Sequence, residues 1–435
     1  MRVFQKTISV EKRTSGMMGA WTPPADKSIS HRALLIASLA EGKSSIYNCL
    51  QTGDVLSTLN ALRALGIKIE KNEKEEALIY GKGLYGFKAP LQTLDVGNSG
   101  TTLRLLTAIL SAQCFSSTLT GDSSLRRRPM KLLITALRDR GAHLFGTEEE
   151  RAPITIHKPY RQFSMYCSES PQRSAQFKSG VLLSGLYAEG PTYVYEKIKT
   201  RDHTERMLHH AGIFISEEKK KIELHPGKVT SISVSVPGDL SSAAFIIALA
   251  LLTPHSKITI RSVGLNSTRT GFLDVIKKMG GNIEIYVRRG GMHLYDEEPS
   301  GDIEVQFSSL KATNISDILT IRSIDEIPLI ALLATQAEGK TVISHAGMLR
   351  EKESDRLWAV ATVLKSLGAF VEETEDGLII EGPTRLYGKT VESFSDHRMA
   401  MLFVIAGLIA EGKTEVKGAE WIDISFPGFL NAVHQ

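Results

Sequence analysis

A chain of 435 residues with 42% hydrophobic and 23% charged residues is globular in composition and too long for one hydrophobic core, so we expect two domains. Its net charge of +4, from 52 basic and 48 acidic residues, is too balanced to indicate a polyanionic partner such as a nucleic acid. The longest unbroken apolar run, Ala243 to Leu252, is about half the roughly 20 residues that span a bilayer, and Met1 to Arg13 contains no apolar signal-peptide core. The three cysteines, Cys49, Cys114 and Cys167, are far apart, which predicts neither a disulfide framework nor a zinc site. We therefore expect a cytoplasmic protein that makes no membrane contact.

The same order of elements recurs six times along the chain, which predicts a repeat architecture. Each repeat has a small, polar helix start, an apolar helix, a short strand, a polar loop and a second helix. In the first five repeats, a pair of strands follows the second helix. The six first-helix starts lie at 27–30, 98–101, 174–176, 239–242, 325–327 and 396–398. In five repeats the second helix is expected to stop at a glycine that adopts the left-handed conformation, namely Gly66, Gly141, Gly212, Gly280 and Gly368.

The domain boundaries follow from what the first and last repeats lack. The sixth repeat ends at Gln435 without closing strands, while a strand-like segment at 4–10 precedes the first repeat. We expect that this N-terminal strand completes the last domain and that the chain crosses between domains at the Pro- and Gly-marked segments 21–24 and 236–238. The predicted domains are residues 22–236, and residues 1–21 together with 237–435, with three repeats in each.

Equivalent helix starts form an anion site where they converge, because a helix N-terminus offers unpaired N–H groups and partial positive charge. Arg32 follows Ser28 by four residues, as Arg104 follows Gly100, which places each arginine one turn deeper on the same helix face. Taken alone, such a pattern is more often an N-cap with solvated cations. Its recurrence in two repeats favours a binding role.

The loops before the second helices carry a matching series of cations. They are Arg126 to Pro129, Arg201 to Thr204, Thr268 to Gly271 and Lys352 to Arg356. An arginine triplet is normally a surface charge run or a nucleic-acid contact, but in a repeat fold it lies where the other loops point. Arginine binds carboxylate and phosphate in bidentate fashion, so the series predicts a small ligand with more than one negative group. Asp325 and Glu353, beside these cations, are the acid/base candidates, although a single carboxylate is usually only solvated.

Four strings carry a resemblance to a known family: ADKSISHR at 25–32, GNSGTTLR at 97–104, LREKESDR at 349–356 and DHRMAM at 396–401. They resemble the EPSP (5-enolpyruvylshikimate-3-phosphate) synthase family over essentially the whole chain. The resemblance implies an α/β fold of the α+β type, with two domains of three βαβαββ units each and an active site in the cleft between them. It also implies transfer of the enolpyruvyl group of phosphoenolpyruvate to the 5-hydroxyl of shikimate 3-phosphate, with release of phosphate, on the route to aromatic amino acids and without a metal or organic cofactor. Separately, we expect a monomer.

The resemblance also assigns roles to residues that match the family's motifs. Asp325 would accept the hydroxyl proton, Glu353 would handle the proton at the vinyl carbon, and Lys27 would serve both substrates. The shikimate 3-phosphate set would be Lys27, Ser28, Arg32, Ser174, Ala175, Gln176, Arg201, Asp325 and Lys352. The phosphoenolpyruvate set would be Lys27, Asn98, Gly100, Arg128, Gln176, Arg356 and Arg398, with Arg104 nearby.

Three departures from the commoner family pattern resemble its second, divergent class. Ile424 stands where many members have a lysine, Ala175 stands where a second serine is usual, and residues 201–204 replace a Ser/Tyr contact loop. The best-known members of that class tolerate the herbicide glyphosate, which is associated with alanine at the place of Gly100. The glycine here argues against assuming tolerance.

Two rival hypotheses remain. The sibling family that transfers enolpyruvyl to UDP-N-acetylglucosamine typically has Lys-Asn where this chain has Lys27-Ser28, and a cysteine in the loop at 122–128, which contains none here. A non-catalytic RNA-binding scaffold would place base-stacking aromatics among the basic loops. The loops at 121–129 and 349–356 contain none.

Overall fold

The computed structural model describes residues 6–72, 76–169, 174–288 and 298–434. By their contacts, the described residues fall into two compact units. The central unit comprises Ala25–Pro237 with Glu298, and the terminal unit comprises the described parts of Met1–Pro24, Gly238–Arg289 and Pro299–Gln435. The assignment of folding domains to residues 22–236, and to 1–21 with 237–435, stays a prediction.

The strands of the described residues, numbered in chain order, are β1 Thr7–Glu11, β2 Met18–Trp21, β3 Glu41–Tyr47, β4 Lys68–Lys71, β5 Ala77–Lys82, β6 Leu94–Asp95, β7 Ser117–Thr120, β8 His143–Phe145, β9 Ile154–His157, β10 Tyr166–Glu169, β11 Thr192–Tyr195, β12 Ile215–Glu218, β13 Lys221–Leu224, β14 Ser233–Ser235, β15 Lys257–Gly264, β16 Asn282–Arg288, β17 Ser300–Gln306, β18 Asn314–Ile315, β19 Gly339–Ile343, β20 Phe370–Glu373, β21 Leu378–Gly382, β22 Thr390–Glu392 and β23 Lys413–Lys417.

The α-helices are α1 Lys27–Leu39, α2 Gly53–Ala64, α3 Gly100–Leu110, α4 Lys131–Asp139, α5 Ala175–Gly185, α6 His203–His210, α7 Leu240–Leu252, α8 Gly271–Lys278, α9 Asp317–Arg322, α10 Ile327–Gln336, α11 Arg356–Ser366, α12 His397–Ile409 and α13 Phe429–Val433. Short 3-10 helices cover Leu125–Arg127, Gly347–Glu351 and Ala419–Ile424.

The central unit contains three sheets of the same strand order, β14-β3-β5-β4, β6-β7-β9-β8 and β10-β11-β13-β12. In each sheet the first two strands are parallel and the other pairs are antiparallel. A parallel pair needs a crossover connection, which α3 and α5 supply in the second and third sheets. In the first sheet, β14 comes from the end of the unit and takes the place next to β3.

The terminal unit contains the sheets β16-β17-β15-β2, β18-β19-β21-β20 and β1-β23-β22. The N-terminal strand β1 pairs with β23, from Thr7 opposite Lys417 to Glu11 opposite Lys413. The pairing joins part of the predicted segment 4–10 to the last repeat, and residues 4 and 5 of that segment lie outside the described ones.

The core of each unit is built around the first helices of its repeats. In the terminal unit α7, α10 and α12 contact one another, and every residue of α7 except Leu252 is buried. In the central unit α3 contacts both α1 and α5. A helix that is apolar on all sides must be enclosed by other elements. This packing fixes the position of the helix N-terminus within its unit.

The predicted helix starts agree with the observed ones to within two residues, and the five closing glycines have positive φ angles. The sequence did not predict α9 at Asp317–Arg322, because a helix of six residues is too short to show a 3.6-residue periodicity. The apolar helices α1, α10 and α12 end just before the Ala-Glu-Gly triplets, whose alanines already have extended backbone.

Candidate active site

Lys27 begins α1 and has a defined partner in the central unit. The carboxylate of Asp26 caps the helix by accepting a hydrogen bond from the Ile29 N–H at 2.8 Å. The Lys27 Nζ atom lies 2.9 Å from Asp54 Oδ2, in the first turn of α2, and both side chains are mostly buried. The ammonium group is thus fixed between two helix starts, where it can act as a point charge or carry a proton.

Arg32 is a buried cation held by uncharged groups. Its guanidinium donates to Thr204 Oγ1 at 2.8 Å, to Ser179 Oγ at 2.9 Å and to the Ser28 carbonyl at 3.0 Å. Burial, and next the positive charge of Arg201, lower the pKa of Arg32 to about 10. A buried cation close to a second cation favours an anionic ligand at this place, as the sequence predicted for this helix face.

A buried charge cluster that the sequence did not predict lies beside Arg32. Lys178 Nζ contacts Glu196 Oε2 at 2.8 Å and Glu205 Oε1 at 2.6 Å. All three side chains are buried from solvent. Lys178 precedes Ser179, and Glu205 follows Thr204, so the cluster anchors both hydroxyls that hold Arg32. A lysine on a helix is usually solvated, and the one sequence signal for burial is that Lys178 lies in the largely apolar helix α5.

Gly100, the first residue of α3, lies against two guanidinium groups. A Cβ atom added there would be 2.9 Å from Arg104 Nη1 and 3.0 Å from Arg128 Nη1. Arg104 donates to Gln176 Oε1 at 2.8 Å and to the Pro129 carbonyl at 3.0 Å. Two cations therefore meet at the N-terminus of a helix capped by Ser99, the arrangement that favours phosphate or carboxylate.

The neighbouring amides hold these cations in place. Arg128 donates to Asn98 Oδ1, and Asn98 donates to Asp122 Oδ2 at 2.7 Å. Gln176 Nε2 donates to Thr101 Oγ1 at 2.9 Å. Of the arginine triplet, only Arg128 is partly buried, while residues 126 and 127 are exposed.

Ser174 caps α5, and Ala175 is its first residue. The Ser174 hydroxyl accepts a hydrogen bond from the Phe177 N–H at 3.3 Å and so caps the helix. Ala175 is the first helical residue and is partly buried. The usual second serine is thus replaced by a residue that contributes a backbone N–H but no hydroxyl.

A buried chain of polar side chains links α1, α2 and α3 beneath their starts. His31 Nδ1 lies 2.7 Å from Thr58 Oγ1, which lies 2.7 Å from Thr102 Oγ1, and Thr102 in turn contacts Ser99. Burial lowers the pKa of His31 to about 3, with the charges of Asp54 and Lys27 as smaller influences. The imidazole is therefore neutral at physiological pH and serves as structure rather than as a cation.

In the terminal unit, Arg356 lies close to both candidate catalytic carboxylates, Asp325 and Glu353. It is buried, donates to Asp396 Oδ2 at 2.8 Å and to Glu353 Oε2 at 2.7 Å, and its Nη1 atom lies 3.9 Å from Asp325 Oδ1. Burial by itself would lower the pKa of Arg356, but the charges of Asp396 and Glu353 raise it. Burial would likewise raise the pKa of Asp396, yet the Arg356 charge holds it below its ordinary value.

Three guanidinium groups face Asp325, one from α11, one from α12 and one from the loop before α8. Its Oδ2 atom lies 3.4 Å from Arg269 Nη1 and 3.9 Å from Arg398 Nη2, while Oδ1 faces Arg356. Arg398 also donates to the Asp325 carbonyl at 3.1 Å. The structure thus brings together Asp325, Arg356 and Arg398, which the family resemblance assigns to one candidate site. It adds Arg269, which the sequence indicated only as part of a basic loop.

Lys352 and Ile424 complete the set of predicted positions. Lys352 follows the 3-10 helix Gly347–Glu351 directly and is partly buried. Ile424 ends the 3-10 helix Ala419–Ile424 and is partly buried as well. An apolar side chain therefore occupies the position at which many members of the resembling family carry a lysine.

The comparison of the sequence with known families is decisive. The sequence model of the family described as "EPSP synthase (3-phosphoshikimate 1-carboxyvinyltransferase)" matches residues 12–433. The chain belongs to the EPSP synthase family. A 3-phosphoshikimate 1-carboxyvinyltransferase from Thermodesulfovibrio yellowstonii is 47% identical over 97% of both chains, and one from Bacillus cereus is 44% identical over 99% of both.

Solved structures give the same family and fold. The EPSP synthase of Acinetobacter baumannii has a TM-score of 0.87 and 39% identity, covering 99% of this chain and 98% of its own. The enolpyruvyl transferase NikO from Streptomyces tendae has a TM-score of 0.77 at 17% identity, covering 98% and 96%, which shows a shared fold alone. The predicted α/β fold class is confirmed. Within the described ranges, no helix of this EPSP synthase family member is long and apolar enough to cross a membrane.

Proposed function

We propose that this protein transfers the enolpyruvyl group of phosphoenolpyruvate to the 5-hydroxyl of shikimate 3-phosphate, giving 5-enolpyruvylshikimate 3-phosphate and phosphate. Family membership supports this, because relatives of nearly full coverage are named for that reaction. The observation that carries the proposal is the placement of Asp325 and Glu353 against two terminal nitrogens of the buried Arg356. Two carboxylates on one fixed cation can divide base and acid duties between them.

The reaction proceeds by addition and elimination. In the addition, Asp325 accepts the proton of the 5-hydroxyl as its oxygen bonds to the central carbon of phosphoenolpyruvate, and Glu353 gives a proton to the methylene carbon. In the elimination, the methyl group of the tetrahedral intermediate returns a proton to Glu353, the double bond re-forms, and the carbon–oxygen bond to phosphate breaks. The departing phosphate takes the proton that Asp325 accepted, which restores both carboxyl groups. Fixed positive charge stabilises the departing phosphate.

The predicted binding residues divide by ligand. For shikimate 3-phosphate we propose Lys27, Ser28, Arg32, Ser174, Ala175, Gln176, Arg201, Asp325 and Lys352. For phosphoenolpyruvate we propose Lys27, Asn98, Gly100, Arg128, Gln176, Arg356 and Arg398. The uncharged hydrogen-bond partners of Arg32 support a phosphate contact, because its charge is not offset by a carboxylate within bonding distance in the described residues.

We further propose that the protein is a monomer and works in the cytoplasm. Its three cysteines are free, which is compatible with a reducing compartment. Light scattering coupled to gel filtration measures the mass directly, and the mass expected for a monomer is 47.7 kDa.

The direct test is phosphate release from phosphoenolpyruvate in the presence and absence of shikimate 3-phosphate. Release that depends on shikimate 3-phosphate supports the proposal. Release that requires UDP-N-acetylglucosamine instead would assign the chain to the sibling activity, and binding of single-stranded RNA without any release would favour a scaffold role.

A further inference from the structure

Arg269 is a buried arginine that contacts the candidate base but matches none of the family strings described above. It is 5% exposed, and its Nη1 atom donates to Asp325 Oδ2 at 3.4 Å. Its Nη2 atom donates to Ser241 Oγ and lies 3.5 Å from Glu326 Oε1. One guanidinium therefore joins the start of α7 to the two carboxylates that precede α10.

Hydrogen bonds within the loop hold the backbone that carries Arg269. Asn266 Oδ1 accepts hydrogen bonds from the Thr268 N–H at 3.0 Å and from the Thr268 hydroxyl at 2.7 Å. The Arg269 N–H donates to the Asn266 carbonyl at 2.8 Å, which closes a tight turn. Asn266 and Thr268 are both buried, so the turn delivers the Arg269 side chain from a fixed backbone.

The charges around Arg269 alternate in sign. Asp325 lies between Arg269 and Arg398, at 3.4 and 3.9 Å, and Glu326 lies between the same two arginines, at 3.5 and 3.8 Å. The four side chains form a closed ring of two cations and two anions. Glu326 is fully buried and also accepts from Ser241, so it holds the ring from beneath. Each member of such a ring is oriented by two opposite charges.

We propose that Arg269 is a positioning residue for the enolpyruvyl transfer. It orients the Asp325 carboxylate toward the substrate hydroxyl and, through Glu326, fixes the guanidinium of Arg398. The inference rests on the proposed function, since it assigns Arg269 a part in that reaction. A weakly held carboxylate would sample orientations that do not reach the hydroxyl proton, so the chemical step would slow more than substrate binding would weaken.

Arg322, the last residue of α9, provides a matched control because it contacts the same loop. It donates to the Ser267 carbonyl at 2.7 Å and to Thr270 Oγ1 at 2.9 Å, and it pairs with Asp274 at 2.8 Å. Arg322→Gln therefore loosens the loop but leaves the contact between Arg269 and Asp325 in place. Arg269→Gln removes the charge from the ring, and Arg269→Lys keeps it.

The experiment measures kcat and both KM values for wild type, Arg269→Gln, Arg269→Lys and Arg322→Gln, with thermal melts to show that each is folded. We expect Arg269→Gln to lower kcat by about ten- to a hundredfold, the range for loss of a charged hydrogen bond, with the KM for shikimate 3-phosphate changed less than threefold. Arg269→Lys should recover part of the loss. Arg322→Gln should stay within threefold of wild type in kcat.

Three results would overturn the inference: equal kcat losses in Arg269→Gln and Arg322→Gln, no recovery with lysine, or a loss confined to KM. If Arg269→Gln fails to fold, Arg269→Lys is compared with Arg322→Gln. A kcat that is lower in Arg269→Lys than in Arg322→Gln, with little change in KM, supports the inference, whereas a wild-type kcat in Arg269→Lys overturns it because the two-armed guanidinium would then be dispensable. A wild-type enzyme that is inactive with both substrates would overturn the proposed function as well, so the two failures are distinguishable.

Discussion

The close approach of Gly100 to two guanidinium groups makes Gly100→Ala an informative substitution. The added methyl would lie 2.9 and 3.0 Å from the Nη1 atoms of Arg104 and Arg128, whereas a carbon and a nitrogen in ordinary contact stay about 3.5 Å apart. Each guanidinium must therefore retreat by about half an ångström. Both are the ends of flexible side chains, so we expect the fold to be retained.

The cost falls on anion binding at this helix start. Charged hydrogen bonds contribute about 1.5–3 kcal/mol each, and a half-ångström shift of two donors loses part of both contributions. We expect a loss of about 1–2 kcal/mol, which corresponds to a rise of about 5- to 30-fold in the KM for phosphoenolpyruvate. The KM for shikimate 3-phosphate should change less than threefold, because its proposed phosphate contact, Arg32, lies elsewhere in the central unit.

The assay is steady-state phosphate release with each substrate varied in turn, repeated with glyphosate as inhibitor. Glyphosate is longer than phosphoenolpyruvate, so the methyl should weaken its inhibition more than it raises the KM. Gly190→Ala is the matched control, since a Cβ atom there meets nothing closer than Met165 Cβ at 3.5 Å. An unchanged KM for phosphoenolpyruvate with unchanged glyphosate inhibition would refute the steric reasoning, as would equal effects on both substrates.

Three further predictions concern other parts of the structure. Lys178→Met leaves two buried glutamates without their cation, so urea denaturation should show a loss of about 3–5 kcal/mol in the free energy of unfolding; a loss under 1 kcal/mol would contradict this. Asp325→Asn keeps the side-chain size but removes the base, so kcat should fall by about 10²–10⁴ while calorimetry shows shikimate 3-phosphate still binding; a kcat near wild type would exclude the role. Because the pKa of His31 falls from 6.5 to about 3 on folding, protons favour the unfolded chain below pH 6.5, and wild type should lose about 2 kcal/mol more stability than His31→Gln between pH 7 and pH 5; parallel pH curves for the two proteins would show that this histidine is not the cause.

Much of the architecture could be predicted from the sequence because its signals are local. A small polar residue followed by an apolar run fixes a helix start, and spacing of four residues put Arg32 and Arg104 on the faces where they are found. The site contacts between repeats are not local. That Arg104 meets Gln176, or that Arg32 is held by Thr204, depends on how helices pack, and sequence spacing carries no such information.

The residues that the sequence missed are mostly buried charges. Lys178 and Glu326 have the sequence context of ordinary solvated side chains, and Arg269 that of one cation in a basic loop. Charged residues are rarely buried without a partner, and here the partner is distant in sequence. Arg269 and Glu326 are separated by more than fifty residues, yet their side chains lie 3.5 Å apart. The family resemblance identified the groups proposed to touch substrate, whereas the network that supports them became visible only in the structure.

The pairing of β1 with β23 has a consequence for synthesis on the ribosome. The central unit receives its last strand, β14, about 180 residues before β23 is made, so it can fold during translation. β1 is made before the central unit but pairs with β23, so Thr7 can lie opposite Lys417 only after about 400 further residues have been made. A strand without its partner is a template for pairing with other chains. Translation that slows between β14 and β23 should therefore lengthen the period in which the nascent chain aggregates and lower the yield of active protein.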